Sequence, residues 1–301
     1  MKFLKSGKVK DVYEVSDTEL EFVFSDRISV FDKIIPSEVP FKGETLARTA
    51  AYWFEVCKDL GINTHYIRLV KPNRMRVRRI RVISDHNQLR REKGNYLIPL
   101  ECIARYCVYG SLWDRVDAGE IDATAFSFPK SHKMTLGEKL PEPFFEVTTK
   151  LEKVDRNLDE AAALRISALT KDEFDELRDI ALRIDREMDA RVAPRGLIHV
   201  DGKKEFAFDE ERHLMVVDTF GTADEDRFWD AEELKEGRFV ERSKEFVRQY
   251  YRKTGYHEKL MKARKEGKEE PPIPPLPQDV LEEVSKIYIQ LFEDLTGQRF
   301  R

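Results

Sequence analysis

Apolar and polar side chains alternate through much of the first hundred residues, a pattern that predicts short β-strands. The segments that carry this alternation are Val9–Val15, Glu19–Phe24, Tyr66–Val70 and Met75–Ile83. One stretch has a helical repeat instead, because apolar residues recur at helical spacing from Leu46 to Leu60. Gly61 follows it, and glycine commonly ends a helix. This part of the chain is therefore predicted to consist mostly of strands, with one helix among them.

After the first hundred residues, the sequence predicts longer strands and longer helices. A strand is predicted at Ile98–Val108, and a hairpin of two strands is predicted at 196–218. A helix is predicted near 171–192, because Thr170 and Glu173 have the residue types and spacing of a capping box.

The last predicted helix spans 278–296, and Gly297 would stop it. Before it, residues 261–277 combine a charged run with several prolines. We interpret this segment as a tether that lays the final helix back on the body. A ligand for SH3-type domains is the alternative interpretation.

Length and composition limit the number of domains and the kinds of partner that this chain can have. With 301 residues, the chain could form two domains or one large α+β domain. Its 53 basic and 57 acidic residues give a net charge of −4, which argues against binding nucleic acid or an anionic membrane as its main role. No apolar run reaches the length of a membrane span, and the N-terminus lacks a signal-peptide core. Cys57, Cys102 and Cys107 are predicted to be buried reduced thiols of a cytoplasmic protein.

The chemistry is concentrated in the predicted hairpin, which contains Asp201, Lys203 and Glu205 and ends at Asp218. In a strand, positions 201, 203 and 205 share one face, while Gly202 and Lys204 point away. Phosphoryl transfer needs carboxylates for Mg²⁺ and a cation beside the transferring group. The hairpin therefore predicts a site for ATP and Mg²⁺, with an exposed hairpin of alternating charge as the alternative.

A second candidate is the segment Ser6–Tyr13, where Gly7 forms a turn between strands and is followed by Lys8 and Lys10. Such a turn could lie over a triphosphate, although it lacks the pattern of a Walker A loop. An ordinary hairpin is the alternative.

Two further segments are suited to binding a phosphate monoester. The strand from Glu101 carries Arg105 and leads to Gly110 and Ser111, which offer a cation, a hydroxyl and backbone N–H groups. Arg227, in a later loop, could reach the same phosphate. The alternatives are a plain strand and turn for the first segment and a helix N-cap for the second.

Five arginines between Arg74 and Arg81 could form a patch that binds RNA. Acidic residues elsewhere offset them, and no aromatic residues alternate with them to stack on bases. The histidines show no metal-binding spacing, and no motif of a serine nucleophile is present.

Taken in order, these segments resemble the SAICAR synthetase family of de novo purine biosynthesis over nearly the whole chain. The matching segments are Gly7–Tyr13, Ser25–Asp32, Pro99–Arg105 with Gly110 and Ser111, Thr149–Glu152, Asp201–Phe206, Asp218–Asp230, Lys244–Arg248 and Leu295–Gly297.

The resemblance implies an α+β fold of two lobes, related to ATP-grasp enzymes and protein kinases. Antiparallel sheets flanked by helices would hold ATP between the lobes. We place a mostly-β lobe at 1–96, carrying the Gly-Lys loop, and an α+β lobe at 97–301, carrying the metal and substrate sites. The implied reaction joins L-aspartate to carboxyaminoimidazole ribotide, giving SAICAR, ADP and phosphate, with Mg²⁺ required. No nucleic acid or membrane partner is expected, and homo-oligomerisation is left open.

Roles for individual residues follow from the same resemblance. Lys8 and Lys10 would cover the ATP phosphates, and Glu205 and Asp218 would hold Mg²⁺. The transferring charge would be stabilised by Lys203, which Asp201 would position.

The substrates would be bound by a further set of matching residues. The ribotide phosphate would be taken by Arg105, Ser111 and Arg227. The remaining ribotide or aspartate groups would lie near Asp32, Lys150 and Glu101. A carboxylate must be activated before an amine attacks it, for example as an acyl phosphate, so positioning and charge neutralisation would replace a covalent nucleophile.

The chain departs from the family pattern after Asp218. The family commonly has an acid directly after this aspartate, where this chain has Thr219. It commonly has a serine at the position that Asp226 occupies in this chain. Gly202 and Ala207 also differ. A negative charge at 226 would weaken phosphate binding unless it points away. A kinase or ligase acting on another phosphorylated metabolite and a non-catalytic nucleotide- or RNA-binding protein therefore remain alternatives.

Overall fold

The computed structural model describes residues 1–152 and 155–301, and its two main sheets are antiparallel. The first sheet has five strands in the order β1–β2–β3–β7–β6. Their bounds are Lys2–Ser6 for β1, Lys10–Glu14 for β2, Glu19–Phe24 for β3, Tyr66–Lys71 for β6 and Arg74–Arg78 for β7. A separate two-stranded ribbon consists of β4 (Arg27–Val30) and β5 (Lys33–Glu38).

The second sheet has six strands and is centred on the long strand β11. Its strands are β8 (Tyr96–Cys107), β9 (Lys139–Thr149), β10 (Asn157–Leu158), β11 (Leu197–Phe208), β12 (Leu214–Val217) and β13 (Asp226–Asp230). Strand β8 pairs with one edge of β11. On the other edge, β13 pairs with the first half of β11 and β12 with the second half. Side chains from β8, β12 and β13 therefore meet around β11.

Helices cover both sheets. They are α1 (Lys42–Asp59), α2 (Ser111–Asp117), α3 (Glu160–Ser167), α4 (Lys171–Val192), α5 (Ala231–Lys235), α6 (Glu245–Lys253), α7 (Tyr256–Lys265) and α8 (Gln278–Thr296). Helix α4 packs on β8 and β11, and α1 packs on α8. None of the helices in the described part of the chain combines the length and the apolar character that crossing a membrane requires.

A short segment between α1 and β6 joins the two sheets. The N–H of Val216 donates to the carbonyl of Asn63 at 2.9 Å, and the N–H of His65 donates to the carbonyl of Val216 at 3.1 Å. Arg78 of the first sheet in turn donates its N–H to the His65 carbonyl at 2.7 Å. Backbone hydrogen bonds therefore run from β7 through His65 to β12 and connect the two sheets.

The strongest sequence patterns are confirmed. Helices α1, α4 and α8 lie where they were predicted, and both bonds of the Thr170–Glu173 capping box form. The strand predicted at Met75–Ile83 ends earlier, at Arg78. Strands β1, β4, β5, β9 and β13 and the shorter helices were not predicted individually.

The proline-rich segment lies against the body of the protein. Helix α7 takes up the start of the predicted tether, and Ile273 and Leu276 beyond it are buried. The N–H of Leu276 donates to the Ser37 hydroxyl at 3.1 Å. The tether interpretation therefore holds for the residues after α7. The division at residue 96 stays a prediction, because one hydrophobic cluster includes residues on both sides of it.

The three cysteines are free and buried, as expected. Burial raises the pKa of Cys57 to about 12 and also raises the pKa values of Cys102 and Cys107. They are therefore neutral thiols with little nucleophilic character.

Candidate active site

Two clefts meet beside β11. The inter-sheet cleft, of about 580 Å³, lies between the two sheets and has apolar walls that include Val12, Leu20, Leu97 and Val217. Its charged end is formed by Lys10, Lys150, Glu205 and Asp218. The polar cleft, of about 400 Å³, is lined mainly by charged and polar side chains, among them Lys8, Asp32, Glu101, Arg105, Ser111, Asp201, Lys203, Glu225, Arg227, Lys244 and Arg248.

The alternation predicted for β11 brings Lys203 to the boundary of the two clefts. Its ammonium nitrogen lies 3.0 Å from Glu101 Oε1, 3.1 Å from Glu205 Oε1 and 3.2 Å from Glu225 Oε2. Burial alone would lower the pKa of Lys203, but these carboxylates outweigh burial and raise the pKa well above its usual value. Lys203 is therefore a fixed positive charge between the clefts.

Glu205 is the most deeply buried acid of this group. Lys150 Nζ lies 2.6 Å from its Oε1, while its Oε2 is buried with no hydrogen-bond partner among the described residues. Burial would raise the pKa of Glu205, but the ammonium groups of Lys203, Lys150 and Lys10 outweigh burial and hold it at about 2. The carboxylate is therefore ionised at neutral pH, with one oxygen free for a further partner.

Asp218 lies beside Glu205 because Val217 pairs with Glu205 across β12 and β11. Its backbone has a positive φ of 63°, a conformation that aspartate tolerates better than most residues, and Lys10 forms an ion pair with its carboxylate. His65 Nε2 lies 3.2 Å from the Asp218 carbonyl oxygen. Burial lowers the pKa of His65 to about 3, so a neutral ring donates this hydrogen bond.

The residues predicted to bind phosphate come together in the polar cleft. Arg105 Nη2 donates to the Ser111 hydroxyl at 3.1 Å, and the guanidinium of Arg227 packs against Gly110. A Cβ added at Gly110 would lie 2.8 Å from Arg227 Nη2, so only glycine allows this approach.

Asp201 has a different neighbour from the one expected. Its Oδ2 accepts hydrogen bonds from Arg105, at 3.3 Å, and from Arg227. The expectation that Asp201 positions Lys203 is therefore corrected, because the carboxylate orients the two arginines instead.

Lys8 and Lys10 do not face the same cleft. Lys10 lines the inter-sheet cleft, whereas Lys8 Nζ pairs with Asp32 Oδ1 at 2.6 Å beside the polar cleft. Gly7 closes the turn before them by donating its N–H to the Lys10 carbonyl at 2.8 Å. Only Lys10 is thus placed with the acids predicted to bind metal.

In the segment after Asp218, side chains that are buried in the protein alternate with side chains that face the polar cleft. Asp224 is buried, where it accepts from Lys42 Nζ at 2.9 Å and from the Tyr288 hydroxyl at 2.5 Å. Glu225 faces Lys203. Asp226 turns back into the protein, and Arg227 faces the polar cleft.

The carboxylate of Asp226 therefore does not oppose a bound phosphate. Its side chain is fully buried, and its Oδ2 lies 2.9 Å from His199 Nε2. Burial alone would lower the pKa of His199, but Asp185 and Asp226 outweigh burial and raise it. Lys204 forms an ion pair with Asp185 and lies 3.8 Å from Asp226 Oδ2.

Asp185, His199 and Asp226 also offer ligand atoms within 4.8 Å of one another, a spacing that suits a metal ion. An ammonium group already supplies the positive charge there, since Lys204 contacts Asp185. We therefore treat this buried group as an ion-pair network.

Three of the five arginines between Arg74 and Arg81 are paired with acids. Arg76 lies 3.0 Å from both Glu19 and Glu21, Arg79 lies 2.8 Å from Glu14, and Arg74 lies 3.4 Å from Glu21. These pairs neutralise much of the charge that motivated the hypothesis of RNA binding.

Sequence patterns missed several residues of the site. His65 and Lys42 lie far along the chain from the hairpin, and no local spacing indicates their contacts. Glu225 lies in the turn just before β13, and its contact with Lys203 likewise has no signal in the local sequence.

Comparisons with known proteins point to one family. A family model described as SAICAR synthetase matches residues 3–263. The chain is 51% identical over 300 residues to the phosphoribosylaminoimidazole-succinocarboxamide synthases of Thermoplasma volcanium and Thermoplasma acidophilum, with 100% of both chains covered in each case.

Solved structures show the same fold. A SAICAR synthetase (Type-2) in complex with ADP superposes with a TM-score of 0.70 at 22% identity, covering 99% of each chain. SAICAR-synthase from Saccharomyces cerevisiae complexed with SAICAR superposes with a TM-score of 0.73 at 23% identity, covering 99% of this chain and 95% of that one.

Proposed function

The chain belongs to the SAICAR synthetase family, and from this premise we propose how its two clefts divide the work of an ATP-dependent ligase. The reaction joins L-aspartate to the carboxylate of carboxyaminoimidazole ribotide and gives SAICAR, ADP and phosphate. The observation that carries the division is the position of Lys203, which contacts carboxylates at the boundary between the clefts.

The inter-sheet cleft is assigned to ATP. Its apolar walls suit the adenine base, which gains from leaving water, and its charged end suits the phosphates. Lys10 and Lys150 project into that end, and each already contacts a carboxylate there. A solved relative in complex with ADP has the same fold, which supports nucleotide binding.

Glu205 and Asp218 have the chemistry to hold Mg²⁺. Both supply carboxylate oxygens, which Mg²⁺ prefers, and the unpartnered Oε2 of Glu205 is available to a cation. When bound, Mg²⁺ would neutralise charge on the ATP phosphates. The low pKa of Glu205 keeps it ready to bind without releasing a proton.

The polar cleft is assigned to the ribotide. Arg105, Ser111 and Arg227 converge on one region and would donate to its phosphate. Asp201 would keep both guanidinium groups aimed at that region. The ribotide carboxylate would then point toward Lys203 and the ATP cleft.

Lys203 would stabilise the negative charge on the γ-phosphoryl group while a ribotide carboxylate oxygen bonds to its phosphorus and the bond from that phosphorus to the departing ADP breaks. The product of this step is an acyl phosphate, in which the carbonyl carbon is open to attack by an amine. The nitrogen of L-aspartate, once its ammonium group has lost a proton to water, would attack, forming the C–N bond as the C–O bond to phosphate breaks; phosphate would leave, and the amide nitrogen would release a second proton. Asp32 and Lys8 line the polar cleft and would contact the ammonium and carboxylate groups of aspartate.

The direct test supplies the purified protein with ATP, Mg²⁺, carboxyaminoimidazole ribotide and L-aspartate. We expect ADP release that requires both the ribotide and aspartate, with a succinocarboxamide product identified by its mass. Omitting aspartate is the matched control. ADP release that is unaffected by aspartate would instead favour a kinase acting on the ribotide or on another phosphorylated metabolite.

A further inference from the structure

The start of strand β13, which carries Arg227, is held in place by contacts of Asp226. The Asp226 Oδ1 accepts the N–H of Gly221 at 2.7 Å, and its own N–H donates to the Thr222 carbonyl at 2.9 Å. Its Oδ2 meets His199 at 2.9 Å. One side chain thus ties the turn at 221 to β11, although the reaction proposed above makes no use of it.

Gly202 provides the space for this carboxylate. It pairs with Asp226 across β11 and β13, and a Cβ built on Gly202 would lie 2.0 Å from Asp226 Oδ2. No side chain larger than hydrogen fits unless the carboxylate moves. The absence of a side chain at Gly202 and the inward direction of the Asp226 carboxylate therefore depend on one contact.

The buried Asp226 carboxylate has positive and hydrogen-bonding partners. Asp185 and Asp226 are both fully buried, the Lys204 ammonium lies beside them, and His199 contacts Asp226, with its pKa raised by the two carboxylates although burial opposes them. A buried carboxylate is costly unless it is paired, so these contacts allow Asp226 to stay inward.

Strand geometry links this anchor to the polar cleft. Successive side chains on a strand point to opposite faces, so holding residue 226 inward directs residue 227 outward. A slip by one residue would reverse both directions. Arg227 pairs with Asp201 across the strands, and in this register its guanidinium reaches Gly110 and the Asp201 carboxylate.

We propose that Asp226 is a positioning residue, which sets the register of β13 so that Arg227 faces the ribotide phosphate, and that Gly202 makes the room it needs. This inference rests on the proposed function, because it assumes that the polar cleft binds the ribotide phosphate. His199 and Lys204 complete the anchor from β11.

The test is steady-state kinetics of the full-length protein carrying Asp226→Asn, which keeps the shape of the side chain but removes its charge. We expect the KM for the ribotide to rise on the order of tenfold, while kcat and the KM for ATP change little, because misplacing one arginine weakens phosphate binding. Inorganic phosphate, used as a competitive inhibitor against the ribotide, should lose potency in parallel. Asp179→Asn, on the exposed part of α4, is the control for loss of an aspartate charge.

A double-mutant cycle then tests the contact with Gly202. Gly202→Ala alone should raise the ribotide KM, because the new Cβ displaces the Asp226 carboxylate. In a protein that already carries Asp226→Ala, the same change should have a much smaller effect. Thermal unfolding of each variant confirms that the kinetic values refer to folded protein.

The inference is overturned if Asp226→Asn leaves the ribotide KM unchanged, if it raises the KM values for ATP and ribotide equally, or if the Gly202 and Asp226 effects simply add. These outcomes are distinct from failure of the proposed function. If the proposed function were wrong, the unmodified protein itself would show no aspartate-dependent release of ADP.

Discussion

Lys150 Nζ lies 2.6 Å from one oxygen of Glu205, and the other oxygen of that carboxylate has no hydrogen-bond partner among the residues that the structure describes. The acid is thus held by a lysine on one side and open on the other. Such an arrangement suits a ligand for a cation, since unpaired buried oxygens are costly.

Replacing this acid should therefore abolish most of the activity. In Glu205→Gln the neutral amide leaves Lys150 and Lys203 without their shared partner and offers Mg²⁺ a weaker ligand. We expect kcat to fall by at least about a hundredfold, or roughly 3 kcal/mol of barrier. Turnover should be measured over a range of Mg²⁺ concentrations, with the exposed Glu210→Gln as control. A variant with normal turnover and a normal Mg²⁺ requirement would refute the role.

Asp218→Asn separates charge from backbone conformation. Asparagine tolerates the positive φ of 63° as aspartate does, so the protein should remain folded. The loss of charge should still cost several kcal/mol of barrier, each ~1.4 kcal/mol corresponding to a factor of ten. Circular dichroism and ADP release, measured on the same preparation, check both expectations. An active Asn variant would show that the Asp218 charge is not required.

Arg105→Lys should weaken ribotide binding while leaving ATP binding intact. A lysine cannot keep the contacts of the guanidinium to Glu146, Asp201 and Ser111 at once. We expect the ribotide KM to rise about tenfold or more, since charge-assisted bonds to a phosphate are among the strong hydrogen bonds. Arg91→Lys, at an exposed position, provides the control. Equal changes in the KM values for ATP and ribotide would contradict the assignment of separate clefts.

His199 should make stability depend on pH. Its pKa is raised in the folded protein by Asp185 and Asp226, although burial opposes them. The folded state therefore binds the proton more tightly than the unfolded state, whose histidine titrates near pH ~6.5. This contribution is complete below that pH and is lost as the pH rises through the higher folded pKa.

The corresponding measurement is urea unfolding of the unmodified protein and of His199→Gln, at pH 6 and at several higher values. The difference between their free energies of unfolding should shrink as the pH increases. A difference that grows with pH would show that the folded pKa of His199 is lowered instead.

Local sequence patterns identified much of the site because much of it lies on one strand. Alternation along β11 placed Lys203 and Glu205 on one face and Lys204 on the other, and the contacts agree. The spacing of Glu101, Arg105 and Ser111 likewise carried enough information, since one strand and the turn after it present all of them.

Contacts between distant segments could not be predicted in this way. Lys42 meets Asp224 across 182 residues of sequence, and their pairing depends on how α1 packs against the rest of the fold. The inward direction of Asp226 depends on a cation at 204 and a missing Cβ at 202. Neither residue is near Asp226 in the sequence, and the contacts can be recognised only once the pairing of β11 with β13 is known. The same limit explains why Asp201 was given the wrong partner.

The hydrogen bonds that join Asn63 and His65 to Val216 also constrain how the protein can be made. During synthesis, the segment at 63–65 emerges about 150 residues before Val216, so its backbone groups remain hydrated or pair wrongly until then. Contacts of such long sequence separation slow folding and expose strand edges to aggregation. A fragment that stops near residue 96 should therefore be poorly soluble by itself, and coexpressing the remainder of the chain should restore its solubility.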